Sequence, residues 1–149
     1  MAQALYQEIV LAHNRAPRRF GNLPGATHAA DGANASCGDH LRCELSAPHG
    51  RIDDLRFSGE SCAVTTACAS MLGELLLGRT AAEVSTLELR FRRLLEAQSG
   101  DTDDPGLGEL NALRALRAHP ARQRCALLPF ATVQAALAGR SSASTEALP

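Results

Sequence analysis

The spacing of apolar residues between positions 40 and 78 constrains the fold more than any other feature, because its period changes once. In 40–46 and 51–58 apolar and polar residues largely alternate, which is typical of strands with one buried face. The Ala-Pro-His-Gly stretch between them has the length of a hairpin turn, so the two strands are predicted to pair antiparallel. From residue 58 the period becomes 3.6, and Gly78 ends the predicted helix. The pattern therefore predicts an α+β chain.

Three further segments are predicted to be helical. Residues 3–15 carry an apolar face and end before Pro17. Thr80, followed by Glu83, forms a capping-box pattern that opens a helix over 80–98. Residues 111–139 are predicted to hold one or two last helices, broken near Pro120. With the strand pair, these helices predict a small antiparallel sheet with helices packed on one side.

The rest of the chain is predicted to be irregular. Residues 15–36 are dense in Gly, Pro and Asn, which favours a long connection without strands. Residues 141–149 are predicted to form a disordered tail, and 1–140 a single domain. Ser58 or Ser61 is expected to cap the helix that follows the second strand, which places Cys62 in its first turn.

Composition narrows the functional classes. The 149 residues suffice for one domain with its own core, and the net charge of −1 argues against a nucleic-acid partner. All 15 basic residues are arginines, so neither a Schiff-base lysine nor a phosphate-loop lysine is available. No apolar run approaches the length of a membrane span, and the first residues do not resemble a signal peptide. A cytoplasmic location is expected, and with it five reduced cysteines.

Two of the five cysteines are predicted to lie in the core. Cys68 falls on the apolar stripe of its helix, about 240° around from Cys62. Cys43 has the same parity as the apolar residues Leu41 and Leu45 of its strand. Both are therefore interpreted as small buried thiols rather than reactive ones.

The other three cysteines have polar surroundings. Cys37 is followed by Gly38 and Asp39, a pattern compatible with a metal half-site, a redox centre or an ordinary turn. Cys62 lies at a helix N-terminus, which favours the thiolate form, and Cys125 follows the basic stretch Ala-Arg-Gln-Arg. Three thiols and one carboxylate would complete a tetrahedral zinc site, although none of the spacings is Cys-x-x-Cys.

Longer stretches of the sequence resemble the IscU/SufU/NifU-N family of iron–sulfur biogenesis proteins. The similarity runs from Tyr6 to about Leu137 and includes Cys-Gly-Asp at 37–39, Phe-Ser-Gly-x-x-Cys-Ala at 57–63 and the third cysteine inside the last helical segment. The resemblance implies a compact α+β fold with a three-stranded sheet. It also implies that Cys37, Asp39, Cys62 and Cys125 meet at one exposed end as metal ligands.

Details of the resemblance favour the SufU type within this family. Arg124 precedes Cys125 where IscU-type scaffolds have a histidine, and Ala-His-Pro-Ala-Arg-Gln-Arg-Cys replaces their chaperone motif. The stretch from Cys62 to Cys125 is also longer than in the IscU type. Ser61 departs from both by replacing a glycine. The resemblance thus implies a zinc-dependent sulfurtransferase that accepts persulfide sulfur from a SufS-type cysteine desulfurase. The alternatives are a scaffold that assembles a [2Fe–2S] cluster and a zinc-stabilised interaction domain.

Specific roles follow from this interpretation. Cys37 is expected to accept the sulfur, because Gly38 gives its backbone freedom to move, with Cys125 as the second candidate. Arg122 and Arg124 are expected to dock the desulfurase. A downstream iron–sulfur scaffold is the expected recipient, and the protein is expected to be a monomer. The histidines are expected at surface or loop positions without a ligand role, and His40 should point away from Asp39 across the strand.

Overall fold

A computed structural model describes residues 2–96, 100 and 102–145 of the chain. Within these residues the fold combines helices with one four-stranded sheet. The elements in chain order are helix α1 (Ala2–Arg15), strand β1 (His28–Asn34), a 3₁₀ turn (Ala35–Cys37), strands β2 (Asp39–Ser46) and β3 (Asp54–Glu60), helices α2 (Ala63–Leu75) and α3 (Ala81–Leu95), a long 3₁₀ segment (Pro105–Ala118), helix α4 (Pro120–Leu137) and strand β4 (Ser142–Ser144).

The sheet has the order β3-β2-β1-β4. The first three strands pair antiparallel, as in the predicted hairpin of β2 and β3, where Cys43 lies opposite Phe57. β4 adds a short parallel pairing to β1, with Ala143 opposite Gly32. The α+β class, the helices beside the sheet and the three antiparallel strands are confirmed, and the fourth strand is an addition.

Two strands, β1 and β4, fall in segments whose own sequence predicted no strand. β1 lies in the connection predicted to be irregular, because its sequence His-Ala-Ala-Asp-Gly-Ala-Asn lacks the β-branched and aromatic residues that signal a strand. β4 lies in the tail predicted to be disordered, and it is ordered by pairing with β1 rather than by its own residues. Of that tail, 146–149 lie outside the described residues.

The alternation in β2 has the predicted consequence. Leu41, Cys43 and Leu45 are completely buried, whereas the residues between them are partly or fully exposed on the other face. On that outer face His40 approaches Asp31, with 3.4 Å from Nε2 to Oδ1. The expectation that His40 points away from Asp39 is confirmed.

Helices α4 and α2 cover the inner face of the sheet, and α1 and α3 pack behind them. α4 approaches β1 so closely that a Cβ on Gly32 would lie 2.0 Å from Thr132 Oγ1. Glycine at position 32 therefore sets how deeply α4 can pack against the sheet. This close packing brings the first turns of α4, with Cys125, to the end of the sheet where β1 and β2 are joined.

The helix boundaries confirm some predicted caps and correct others. Thr80 and Glu83 form the predicted capping box of α3, which ends at Leu95; positions 97 and 98 of the predicted helix lie outside the described residues. The N-cap of α2 is Cys62 itself, with no cap from Ser58 or Ser61, since Ser61 Oγ lies 3.1 Å from Thr66 Oγ1. The chain reaches α2 through extended backbone at Cys62, so neither serine occupies the capping position.

One histidine is also placed differently from the expectation. His13 is 4% exposed, and its Nδ1 lies 2.6 Å from Ser70 Oγ while its Nε2 lies 3.1 Å from Glu109 Oε2. It is buried because the face of α1 that carries it packs against α2 and the long 3₁₀ segment. Among the described helices, none has the length and apolar character to cross a membrane.

Candidate metal centre

The loop that joins β1 to β2 forms the base of the candidate site. Asn34, the last residue of β1, lies directly opposite Asp39, the first residue of β2, so both side chains are on the same face of the sheet. Between them the 3₁₀ turn ends at Gly38, which adopts φ 69° and ψ 24° and donates its N–H to Ala35 O at 3.1 Å. Glycine adopts this left-handed conformation without steric strain. The turn therefore presents Cys37 beside Asp39.

The four predicted ligands come together at this loop. Ligand atoms of Cys37, Asp39 and Cys125 all lie within 4.8 Å of one another, with 2.7 Å between the Cys37 and Cys125 sulfurs. Cys62 lies beside this group of three, with its Sγ 3.9 Å from Asp39 Oδ2. Cys125 and Asp39 are buried, while Cys37 and Cys62 are partly exposed. All three cysteines are free thiols, and solvent reaches the site at Cys37 and Cys62.

The remaining two cysteines lie elsewhere, as predicted. Cys43 is buried in the sheet, and Cys68 is buried in α2, where its thiol lies 3.0 Å from Ala126 O. Burial raises the pKa of the Cys43 thiol to about 12, and it raises the pKa of Cys68 as well. Both thiols are therefore protonated and inert in the physiological range.

Asp39 links the loop to the start of α2. Its Oδ1 accepts the backbone N–H of Cys62 at 2.7 Å, and its Oδ2 accepts the hydroxyl of Thr65 at 2.8 Å. The Thr65 hydroxyl is also 3.1 Å from Cys125 O and 3.4 Å from Cys62 Sγ. Thr65 is thus a buried contact shared by three of the four candidate ligands, and the sequence analysis did not identify it. Its position three residues after Cys62, one helical turn on, was the available signal.

The site thiols differ in their acidity. A hydrogen bond with Cys125, followed by hydrogen bonds with Thr65, lowers the pKa of Cys62 to about 6 against the opposing effects of burial and the Asp39 charge. The same bond to Cys62, together with burial, raises the pKa of Cys125. Of the two thiols, Cys62 is therefore the one that ionises more readily, and Cys125 the one that retains its proton.

The two predicted docking arginines occupy different environments. The charge of Cys62 and a hydrogen bond to Cys125 raise the pKa of Arg122, so this exposed guanidinium lies next to the thiols. Arg124 is partly buried, and its carbonyl accepts the Thr145 hydroxyl at 3.0 Å just after β4. Two residues along a helix correspond to about 200° of rotation, which explains why the two arginines are on different faces of α4.

Two further residues at the site were not expected from the sequence. Tyr6 of α1 lies near the cluster: burial raises its pKa most, the charge of Arg122 opposes this, and the charges of Cys62 and Cys125 add to it. Asn34 is completely buried and directs Nδ2 toward Cys125 Sγ at 3.9 Å. No pattern in the sequence indicates Tyr6, whereas the register of β1 with β2 indicates Asn34 once β1 is known.

The donor set fits a thiophilic metal. Three thiols and one carboxylate are the donors that tetrahedral zinc takes in proteins, and thiolates are also the ligands of iron–sulfur clusters. The buried amide of Asn34 is compatible with this fit, because its Nδ2 points toward Cys125 Sγ while its Oδ1 has no hydrogen-bond partner among the residues that the structure describes. Cys37, Asp39, Cys62 and Cys125 are the residues that could hold the metal.

Three thiols and a carboxylate at the loop end of a small α+β fold are the residues that a thiol-rich metal-binding domain requires. Residues 5–126 match the model of the family described as NifU-like N terminal domain, and the chain belongs to this family. Its similarity to IscU/SufU/NifU-N proteins, expected from the sequence motifs, is thereby confirmed.

Curated relatives with related but different names are similar over nearly the whole chain. The zinc-dependent sulfurtransferase SufU of Bacillus subtilis (strain 168) is 28% identical over 134 residues, which cover 90% of each chain. The iron–sulfur cluster assembly scaffold protein IscU of Thermotoga maritima is 27% identical over 133 residues, covering 89% of this chain and 92% of that one. These relatives place the family in iron–sulfur cluster assembly.

Solved structures show the same fold. A crystal structure described as a hypothetical protein has a TM-score of 0.82 at 27% identity and covers 91% of this chain and 98% of its own. The NifU-like protein (N-terminal) of Brucella abortus has a TM-score of 0.80 at 21% identity, covering 91% and 93%. The α+β architecture predicted from the sequence is therefore that of known NifU-type domains.

Proposed function

We propose that this protein is a zinc-dependent sulfurtransferase of iron–sulfur cluster assembly. In this role it accepts persulfide sulfur from a SufS-type cysteine desulfurase and stimulates that enzyme. The observation that carries the proposal is the meeting of Cys37, Asp39, Cys62 and Cys125 at one end of the fold. Similarity to a zinc-dependent sulfurtransferase over 90% of the chain supports it.

The transfer is a thiol–disulfide exchange in which no net oxidation occurs. The Cys37 thiolate attacks the outer sulfur of the desulfurase persulfide. A sulfur–sulfur bond forms on Cys37 while the bond in the donor breaks, and the donor cysteine leaves as a thiolate. A second exchange of the same kind then passes the sulfur to a downstream iron–sulfur scaffold.

Accessibility favours Cys37 as the acceptor. It is partly exposed at the end of the 3₁₀ turn, and Gly38 after it has open space around its Cα. Cys125 is 0% exposed, and Cys62 is held at the start of α2 by the bond from its backbone N–H to Asp39. A donor from outside the molecule therefore reaches the Cys37 sulfur with the least rearrangement.

Zinc at this site would keep its ligand thiols deprotonated at neutral pH. The protein's own residues do the remaining work. Asp39 and Thr65 hold the start of α2 to the loop, and Asp39 offers an oxygen ligand that binds zinc less tightly than a thiolate does. Arg122, exposed beside the thiols, would meet the negatively charged donor, and Arg124 would contact the desulfurase from a different face of α4.

A [2Fe–2S] scaffold is the second candidate function. Two observations favour it: three thiols converge, as cluster ligation requires, and the Thermotoga maritima scaffold is nearly as similar to this chain as the sulfurtransferase is. The two functions differ in the expected cargo, since a zinc protein is colourless and a cluster absorbs visible light.

The decisive experiment purifies the protein anaerobically, measures its metal and sulfide content, and adds it to a SufS-type desulfurase. We expect one zinc per monomer, no visible absorption and faster cysteine turnover by the desulfurase. Iron and inorganic sulfide in nearly equal amounts, without stimulation, would support the scaffold instead.

The acceptor is tested separately with radiolabelled cysteine. We expect Cys37→Ser to lose the labelled persulfide, because it lacks the accessible sulfur, while Cys43→Ala, a change at a buried core thiol, retains it. If Cys37→Ser accepts label as fast as the unmodified protein while Cys125→Ser does not, the acceptor is Cys125. The oligomeric state is checked in the same preparations by light scattering, with a monomer expected.

A further inference from the structure

Asn34 combines two features that set it apart from the other polar residues at the site. Its side chain is completely buried, and Nδ2 donates to Cys125 Sγ across 3.9 Å. Its Oδ1 is also buried and has no hydrogen-bond partner among the described residues. In most buried amides both the N–H groups and the oxygen form hydrogen bonds. In Asn34 only the N–H end has a hydrogen-bonding contact within the described part of the chain, and this contact is with sulfur.

The orientation of this amide suits a sulfur that serves as a ligand. A thiolate can only accept hydrogen bonds, so a ligating Cys125 would need the N–H end of the amide and would repel Oδ1. The fold also fixes where this side chain lies. Asn34 is held in register opposite Asp39, which places its side chain beneath the cluster rather than at the surface.

The contact also distinguishes two neighbouring sulfurs. Cys125 is buried, has a carbonyl bonded by Thr65, and receives the Asn34 N–H. Cys37 is partly exposed at the end of a short turn and lies 2.7 Å from Cys125. The Asn34 amide therefore contacts the Cys125 sulfur from inside the protein, whereas the Cys37 sulfur lies on the solvent side.

We propose that Asn34 is a positioning residue that anchors Cys125 through an N–H···S hydrogen bond, so that Cys37 is the ligand that leaves the metal. The anchoring of Cys125 rests on the geometry alone, whereas its consequence for sulfur transfer rests on the proposed function. Hydrogen bonds from outside the ligand shell orient metal ligands and tune their bonding to the metal.

The test uses the full-length protein loaded with Co²⁺ or Zn²⁺ alone. Asn34→Ala removes the amide, Asn34→Asp keeps its shape but replaces the donor with a carboxylate, and Asn22→Asp makes the same exchange at an exposed loop position. For Asn34→Ala we expect the sulfur-to-cobalt charge-transfer band to move to longer wavelength, because the sulfur lone pairs lose a hydrogen bond. Zinc release to a chromogenic chelator should be about 10-fold faster, and faster still for Asn34→Asp. Asn22→Asp should match the unmodified protein.

Unchanged cobalt spectra and unchanged zinc release in folded Asn34 variants would overturn the proposal. Loss of the fold in both variants, measured by circular dichroism, would overturn it too, since Asn34 would then be a structural residue. A persulfide-mapping experiment with the desulfurase tests the consequence: sulfur is expected on Cys37 alone in the unmodified protein and also on Cys125 in Asn34→Ala. If the unmodified protein accepts no sulfur, the proposed function fails while the metal measurements still decide the role of Asn34.

Discussion

The interior of the sheet–helix interface and the loop end of the sheet both contain cysteines, yet these cysteines behave differently. In the interior, Cys43 and Cys68 are surrounded by apolar groups, and burial raises the pKa of each. At the loop end, Cys62 has a pKa lowered to about 6 by hydrogen bonds from its neighbours. The comparison shows that a partly exposed thiol that receives hydrogen bonds ionises readily, whereas a thiol buried among apolar groups stays protonated.

The largest difference is expected when one cysteine is substituted in each region and the two variants are compared. Cys62→Ser removes a candidate ligand, and we expect zinc affinity to fall by more than about 100-fold. This loss is larger than the one expected from removing a residue that only hydrogen-bonds to a ligand. Cys68→Ala should leave the affinity unchanged while costing about 1–2 kcal/mol of unfolding free energy through the small cavity it creates. Competition with a zinc chelator measures both. Equal losses of affinity in the two variants would contradict the division into core and site thiols.

The next comparison concerns reactivity in the metal-free protein. Because the pKa of Cys62 is lowered to about 6, its thiolate exists above that pH and is lost as the pH falls through it. We expect iodoacetamide to label Cys62 with a midpoint near pH 6 and to leave Cys43 and Cys68 unlabelled at neutral pH, as peptide mass spectrometry would show.

Thr65 supplies the matched control for that titration. Thr65→Val keeps the side-chain shape but removes the hydroxyl that lowers the pKa of Cys62, so the labelling midpoint should move to higher pH. A midpoint that stays the same in Thr65→Val would show that this hydroxyl does not stabilise the thiolate.

Substituting a glycine in each region is expected to have a smaller effect, mainly on the free energy of unfolding. Gly32→Ala would place a Cβ 2.0 Å from Thr132 Oγ1 in the packed interior, and overpacking of this kind costs about 1–3 kcal/mol. Urea denaturation of the metal-free protein measures the change. Adding Thr132→Ala should restore part of the loss by making room, and the absence of such coupling would show that the contact does not limit how α4 packs.

The smallest effect is expected at the loop. Gly38 has φ 69° and open space around its Cα, so Gly38→Ala should cost only about 1 kcal/mol, through backbone strain. Asn tolerates the left-handed region better, so Gly38→Asn should be less destabilising in the same urea measurement. A cost as large as that of Gly32→Ala would mean that the loop is packed rather than open.

Several parts of the fold could be read from the sequence because their signals are local. The change of period around residue 58 predicts β3 and α2, and the Thr80–Glu83 capping box predicts the start of α3. β1 could not be predicted in this way, since its alanines, glycine and asparagine carry little strand preference and gain their structure from pairing with β2. β4 depends in the same way on β1.

The candidate site divides along the same line. Its cysteines could be separated from the core cysteines by strand parity and helix face, and the family motifs indicated the four candidate ligands. Thr65 and Asn34 were missed because each acts through a partner distant in sequence: Thr65 Oγ1 bonds Cys125 O across 60 positions, and Asn34 reaches Cys125 Sγ across 91. The orientation of Arg122 toward the thiols likewise depended on how α4 lies against α2.

The sequence by itself determined the α+β class, the strand and helix periods around the hairpin, and which cysteines have apolar neighbours. Local periodicity carries that information, because the residues concerned lie within one or two turns of each other. Only the tertiary structure decided that Cys37 and Cys125, 88 positions apart, bring their sulfurs to 2.7 Å, and that Cys125 is buried while Cys37 is partly exposed. The physical reason is that this proximity arises from the packing of α4 against β1, and the absence of a side chain at Gly32 permits that close approach.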